Sequence, residues 1–164
     1  MVCEVSTVGD AVVFAAPELE LAMAYLVVKP LAETVEIRGG HLRAAPAVPE
    51  IVHSLQELCK ADVSAILLDI KESLLHMGWL VEGTKDVVRM RKSRRAGVAG
   101  FITVEYDKAA RTMSITTTQR CLADFLKGLG FNVSDSRYFL EATGHVSSLV
   151  EALELEERIS QALC

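Results

Sequence analysis

Residues 101–106 read Phe-Ile-Thr-Val-Glu-Tyr, the strongest strand signal in the chain. Their β-branched and aromatic side chains suit a pleated, half-buried surface. Residues 107–110 (Asp-Lys-Ala-Ala) follow as a turn, and residues 112–117 (Thr-Met-Ser-Ile-Thr-Thr) return as a partner strand. Neighbouring strands joined by so short a turn indicate an antiparallel pair.

The sequence before this pair predicts further strands. Residues 86–92 alternate, with Val88 and Met90 on the side opposite Arg89 and Arg91. Residues 79–82 (Trp-Leu-Val-Glu) form a short strand candidate that ends at a glycine turn. We therefore predict a small antiparallel β-meander of three to four strands.

Helical periodicity flanks the meander on both sides. Helices are predicted over about 50–60 and 62–77 before it, and over 119–129 after it. A leucine-rich helix over about 146–163 follows, and its apolar stripe is wide. The stripe leaves two interpretations open: the helix packs on its own domain, or it pairs with a second copy of the chain. The predicted fold class is α+β, with helices packed on the meander.

The first 46 residues form a separate pattern. It comprises an extended stretch over residues 1–16, a helix opened by Pro17, and a hairpin around Gly39-Gly40. We interpret residues 1–46 as a segment that packs on a main domain of residues 47–164, giving one globular unit overall.

Composition excludes several classes of protein. The 164 residues are 51% hydrophobic with a mean hydropathy of +0.30, enough to bury a core, which argues against wholesale disorder. The nearly apolar stretch 11–28 is interrupted by Pro17, Glu18 and Glu20, so no membrane span is predicted. Residues 1–4 lack a basic segment, and no secretory signal is predicted.

Cysteine and histidine spacing predicts neither a metal site nor an enzyme. The four cysteines are widely separated, and none forms a close ligand-like pair with another cysteine or a histidine. Cys59 and Cys121 fall on apolar helix faces, so we expect small core residues, reduced in a cytoplasmic protein. No nucleophile, base or cofactor motif is grouped in the sequence, and we expect no catalytic residues and no cofactor.

Basic residues concentrate in residues 85–111. Eight lysines and arginines stand there against three acidic residues, so this segment carries +5 and the rest of the chain −10. The eight are Lys85, Arg89, Arg91, Lys92, Arg94, Arg95, Lys108 and Arg111. An acidic protein with one basic stretch focuses positive potential on one face, which favours a polyanion there.

Strand alternation predicts which face of the sheet the basic side chains of this segment lie on. If Met90, Val104 and Ile115 face the core, one outer face carries arginine, phenylalanine and hydroxyl side chains. Guanidinium groups pair with phosphates, aromatic rings stack on bases and hydroxyls bond sugars. We predict nucleic-acid contacts by the eight basic residues together with Trp79, Phe101 and Thr103. Residues 92–97 are expected to add a flexible, positively charged loop.

Helices precede a meander that bears arginine and aromatic residues, and a leucine-rich helix ends the chain. This layout resembles the ThermoDBP-related single-stranded-DNA-binding proteins of thermophilic archaea. The resemblance covers about residues 50–163. It implies a small antiparallel sheet with flanking helices, a cleft with basic and apolar side chains, and association of protomers. Carried over, it indicates Arg89, Arg91, Arg94, Arg95 and Phe101.

Three functional hypotheses follow. The first is a non-enzymatic protein that binds single-stranded DNA, and RNA as a second ligand, with little sequence preference; we expect a homo-oligomer, a dimer or a tetramer. The second is a winged helix-turn-helix regulator whose helices are 50–60 and 62–77 and whose wing is 95–111. The third is a protein-interaction subunit that docks an acidic partner on the basic patch.

Overall fold

The computed structural model describes residues 3–164, and the chain divides into two compact units, Met1–Ser73 and Leu74–Cys164. The division falls within one helix, Val63–His76. Among the described residues, no helix has the length and apolar character needed to cross a membrane.

The first unit combines a four-stranded antiparallel sheet with helices. Its strands are β1 (Glu4–Val8), β2 (Ala11–Ala15), β3 (Thr34–Arg38) and β4 (His41–Ala45), in the order β1-β2-β4-β3. Its helices are α1 (Glu18–Val28), α2 (Pro49–Lys60) and the first part of α3 (Val63–His76). The hairpin predicted at Gly39-Gly40 is present, and Gly39 has the positive φ of 58° that such a turn requires.

Helix α2 lies in this first unit. It packs on α1 and on β1, and it buries Ile51 and Leu55. The sequence pattern suggested a boundary near residue 46 because two prolines interrupt the chain there. The connector is short, however, and the helix after it covers the sheet before it.

The second unit is built on a six-stranded antiparallel sheet. The strands are β5 (Trp79–Glu82), β6 (Arg89–Arg95), β7 (Phe101–Asp107), β8 (Thr112–Thr117), β9 (Asn132–Asp135) and β10 (Leu140–His145). Their order is β5-β6-β7-β8-β10-β9. A short 3-10 turn (Arg120–Leu122) and α4 (Ala123–Gly128) precede β9, and α5 (Leu149–Gln161) follows β10.

The α+β class is confirmed, whereas the predicted meander of three to four strands is only part of the sheet. The difference comes from residues 132–145, which the sequence showed as short extended pieces. They form a hairpin whose second strand pairs with β8 along its whole length, and this pairing extends the sheet to six strands.

One face of the six-stranded sheet is covered by α5, which packs on β7. This face buries the side chains of Met90, Ile102, Val104, Tyr106, Met113 and Ile115. The helix contributes Leu149, Val150, Leu153 and Ile159, all buried. The wide apolar stripe of α5 is therefore used within the chain.

Strand β6 differs from its prediction at both ends. It starts at Arg89, and of the two preceding valines Val87 is buried while Val88 is 46% exposed. It continues to Arg95, which pairs with Phe101, so residues 92–95 are strand and not a flexible loop. The loop is residues 96–100, where the φ of Gly97 is 79° and that of Ala99 is 59°.

The cysteines form two disulfides, Cys3–Cys59 and Cys121–Cys164, each within one unit. The prediction of reduced core cysteines was wrong, because partners distant in sequence meet in the fold and sequence spacing cannot show that. Cys121 is also exposed, since it lies in the 3-10 turn and not on an apolar helix face.

Candidate nucleic-acid interface

The face of the six-stranded sheet opposite α5 is not covered by a helix of the second unit, and we call it the open face. Strand register assigns its residues: each cross-strand pair shares a face, and successive residues alternate. On β6, β7 and β8 the open face carries Arg89, Arg91, Ser93, Arg95, Phe101, Thr103, Glu105, Asp107, Thr112, Ser114 and Thr116. The alternation expected for β7 and β8 is thus present in the fold.

Strand register places Lys92 and Arg94 on the other face, with Val104 and Ile102, although the sequence grouped them with the outward arginines. The amino group of Lys92 is 3.4 Å from a carboxylate oxygen of Glu156, and both side chains are largely buried (16% and 8% exposed). The same amino group lies 5.7 Å from the centre of the Trp79 ring. Because β6 is regular from Arg89 to Arg95, successive residues must face opposite sides of the sheet, which a loop would not require.

Trp79 cannot stack on a base, because it is fully buried. Its register partner is Lys92, so the ring faces the same covered side of the sheet. The prediction of Trp79 as a contact residue was wrong because the edge position of β5 was taken as exposure.

Charges at the centre of the open face are paired. A guanidinium nitrogen of Arg89 is 3.4 Å from a carboxylate oxygen of Asp107, and Nε of Arg91 is 3.5 Å from Glu105. With Glu82 and Glu141, the open face carries four carboxylates against three arginines, so its centre is not cationic. A phosphate would therefore gain little binding energy at the centre of the open face.

Asp107 is an anion with several local partners. The backbone N–H of Ala110 donates to it over 3.2 Å and holds its pKa below the ordinary value. Desolvation opposes this effect, and the hydrogen bond and charge of Arg89 add to the lowering of the pKa. Asp107 therefore fixes both the β7–β8 turn and the orientation of Arg89.

The remaining predicted cations lie in turns at the end of the face near Arg89. Lys108 forms an ion pair with Asp86, and Arg111 is exposed in the β7–β8 turn with a φ of 51°. Lys85 is exposed in the loop before β6. These three residues lie outside β6, β7 and β8, at one end of the sheet and not on its open face.

The opposite end of the face combines cations with aromatic rings, and we call it the basic–aromatic end: Arg95, Phe101, Arg137, Tyr138 and Phe139. Arg95 lies directly across from Phe101, and the Phe101 and Phe139 rings meet edge to face at 6.3 Å. The guanidinium of Arg137 lies 5.4 Å from the Tyr138 ring centre, and Tyr138 is 70% exposed. Within residues 3–164, no ion pair neutralises Arg95.

Arg120 holds the loop that carries two of these rings. Its guanidinium donates to the backbone carbonyls of Ser136 and Arg137 over 3.0 and 3.2 Å, and it forms an ion pair with Asp135. Sequence reasoning missed this loop, although the run Arg137-Tyr138-Phe139 has the basic and aromatic composition that was sought elsewhere. The contact between Phe139 of this loop and Phe101 depends on the pairing of β10 with β8.

This arrangement can bind flat rings and anions together. Half-exposed aromatic rings offer faces or edges to bases, and an unpaired guanidinium can approach a phosphate without breaking an existing ion pair. In the part of the chain that the structure describes, no group of three His, Cys, Asp or Glu side chains could hold a metal ion.

Comparisons with protein-family models, with curated proteins and with solved structures found no match for this chain. The resemblance to the ThermoDBP-related proteins therefore stays a prediction, and the candidate interface rests on the geometry of its own residues.

Proposed function

We propose that this protein is not an enzyme and binds single-stranded nucleic acid on the open face, with little sequence preference. DNA is the ligand that the sequence favours, with RNA as the second. One observation carries the proposal: Arg95 and Phe101 form a cross-strand pair on the open face, and the Phe139 ring contacts Phe101.

The expected mode of binding follows from the distribution of charge. Bases stack at the basic–aromatic end, where each stacked base contributes about 1–3 kcal/mol. Arg95 and Arg137 meet the adjoining phosphates. The paired centre of the face contacts sugars and base edges through hydroxyls and carboxylates, because a phosphate there would have to compete with Asp107 and Glu105 for the arginines.

The winged-helix alternative has less support. Residues 95–111 would have to protrude as a wing, but they include β7, which lies between β6 and β8 inside the sheet. Helix α3 offers Lys71 and His76 against Asp69 and Glu72, which is a poor recognition surface for the major groove.

A protein partner remains the second candidate, because the balanced charges at the centre of the open face also suit a polar protein surface. Self-association is also part of the proposal, and it would need a surface other than the α5 stripe, which is already buried within the chain. We also propose a cytoplasmic location. Disulfides are rare in the mesophilic cytosol but frequent in intracellular proteins of hyperthermophiles, which suits the archaeal source that the resemblance implies.

The test is fluorescence anisotropy with labelled oligo-dT, oligo-U and duplex DNA at several salt concentrations. We expect both single strands to bind more tightly than the duplex. Arg95→Ala should weaken binding, whereas Lys127→Ala, which removes an exposed cation from α4, should not. Absence of binding to every oligonucleotide at low salt would overturn the proposal in favour of a protein partner.

A further inference from the structure

The open face contains a pocket of about 260 Å³ near the β7–β8 turn. Its lining includes Arg89, Glu105, Asp107, Thr112 and Ser114. Pockets that hold drug-sized ligands have volumes of about 300–1,000 Å³, so this smaller pocket suits a single small polar ring. Arg89, which lines the pocket, is on the same strand as Arg95 and six residues before it. This separation corresponds to roughly 20 Å along a strand.

The polar groups of the pocket include both acceptors and donors. One carboxylate oxygen of Glu105, Oε1, pairs with Arg91, and the second oxygen of this carboxylate can accept a hydrogen bond from a ligand. Thr112 donates its hydroxyl hydrogen to the carbonyl of Ala110 over 2.9 Å, so towards the pocket it can only accept. The Ser114 hydroxyl has no hydrogen-bond partner within the described chain and can donate or accept.

A phosphate is a poor ligand for this pocket. Two carboxylates line it, and the arginine beside them is already paired with Asp107. A neutral ligand with adjacent hydroxyls fits better. The carboxylates can accept hydrogen bonds from its hydroxyl groups, and Ser114 and Arg89 can donate hydrogen bonds to its hydroxyl oxygens.

We propose that this pocket takes the ribose ring of a bound strand and reads its 2′-hydroxyl, so that the protein selects RNA over DNA of the same sequence. This preference is the reverse of the order that the sequence alone favours. Carboxylates bind ribose 2′-hydroxyls in dinucleotide sites by the same chemistry, and the 2′-hydroxyl is the group that distinguishes RNA from DNA. The inference rests on the proposed function, since the basic–aromatic end must hold the strand.

The geometry assigns different tasks to the two ends of the face. Stacking and phosphate contacts at the basic–aromatic end act on either polymer. The pocket acts only on a sugar that carries the additional hydroxyl. Variants at the two ends should therefore affect different quantities, total affinity at one end and the ratio of RNA to DNA affinity at the other.

The experiment compares oligo-U, oligo-dU and 2′-O-methyl oligo-U, which share one base, by fluorescence anisotropy. We expect oligo-U to bind about tenfold more tightly than the other two, as one charge-assisted hydrogen bond would give. Ser114→Ala and Glu105→Gln should each reduce this ratio, and Ser134→Ala, on the open face outside the pocket, should leave it unchanged. Circular dichroism checks that each variant is folded.

The outcomes separate the two proposals. Equal binding of oligo-U and oligo-dU, both weakened by Arg95→Ala, would overturn ribose selection and leave the proposed function standing. Absence of binding to all three would remove the proposed function itself. Displacement of oligo-U by an equal concentration of free uridine would identify a nucleoside site and overturn the assignment to a polymer.

Discussion

The amino group of Lys92 lies 3.4 Å from a carboxylate oxygen of Glu156, beneath α5. The Ser160 hydroxyl donates to the same carboxylate over 2.8 Å, and the centre of the Trp79 ring lies 5.7 Å from the lysine amino group. This buried ion pair ties β6 to α5. A residue that the sequence grouped with the ligand-binding cations therefore has a structural role.

Lys92→Met is expected to destabilise the fold by about 3 kcal/mol, because Glu156 would remain buried without its partner. Urea denaturation followed by circular dichroism measures the change in the free energy of unfolding. Binding of oligo-dT by the folded variant should be unchanged.

Double substitution provides the control for this pair. Lys92→Met combined with Glu156→Leu removes both charges and should recover most of the lost stability. If Lys92→Met left the stability unchanged but weakened oligo-dT binding, the lysine would be at the interface and the assignment would be wrong.

Loss of Arg95 and Arg137 should reduce the salt dependence of binding. Each phosphate contact contributes about 0.7 to the slope of log K against log salt concentration for a single strand, so the double alanine variant should lower the slope by about 1.4. Arg89→Ala should change the slope less, because its charge is paired with Asp107. The slopes come from anisotropy titrations of oligo-dT over a salt series.

The variants at the two ends of the open face should differ in their salt dependence. A slope unchanged in the Arg95 and Arg137 variant but lowered in Arg89→Ala would move the phosphate path to the centre of the face. Lys127→Ala controls for the general effect of removing one exposed cation.

Local sequence patterns predicted the elements of the fold well and their long-range pairing poorly. Alternation in residues 101–117 predicted which side of the sheet Phe101, Glu105 and Ser114 would face, since a regular strand has a period of two residues. The same rule, applied within residues 86–92, already separates Lys92 from Arg91, and with β6 extended to Arg95 it also separates Arg94 from Arg95. Neither the pairing of β10 with β8 nor the disulfide partners has any local signal.

The candidate site was predictable only in part, for the same reason. Arg95 and Phe101 flank a glycine-containing loop, and their proximity follows from the hairpin. The Arg137–Tyr138 pair reaches that end of the sheet only through strands that are distant in sequence. Paired charges such as Arg91 and Glu105 depend on register, which composition does not reveal.

Reduction of the two disulfides should lower stability strongly. They close loops with sequence separations of 56 and 43 residues, and chain entropy assigns about 4 kcal/mol to each loop of this length. Urea denaturation with and without a dithiol reductant measures the loss. Thiol titration of the unfolded, unreduced protein should find no free thiol, and four reactive thiols would contradict the pairing.

Acid should remove the contribution of Asp107 to stability. Its pKa is lower in the folded protein than in the unfolded chain, so the stabilisation is present above the unfolded pKa and is lost as the pH falls through the folded value. Asp107→Asn should therefore melt below the parent protein at pH 7, and the difference should shrink as the pH falls below the ordinary aspartate pKa and vanish below the folded value. A melting difference that grew towards low pH would contradict the sign.

Gly100→Ala should disrupt the loop before Phe101. A Cβ at this position would lie 2.2 Å from the carbonyl oxygen of Ala96 and 2.6 Å from the Thr118 hydroxyl, and backbone cannot yield as a flexible side chain does. We expect a loss of about 2 kcal/mol in stability together with weaker oligo-dT binding, since the loop positions both Arg95 and Phe101. Ala99→Gly is the matched control, because the φ of Ala99 is 59° and glycine adopts that conformation without strain, so its stability should be unchanged or slightly higher. Equal effects of the two substitutions on binding would show that the shape of the loop does not control the basic–aromatic end.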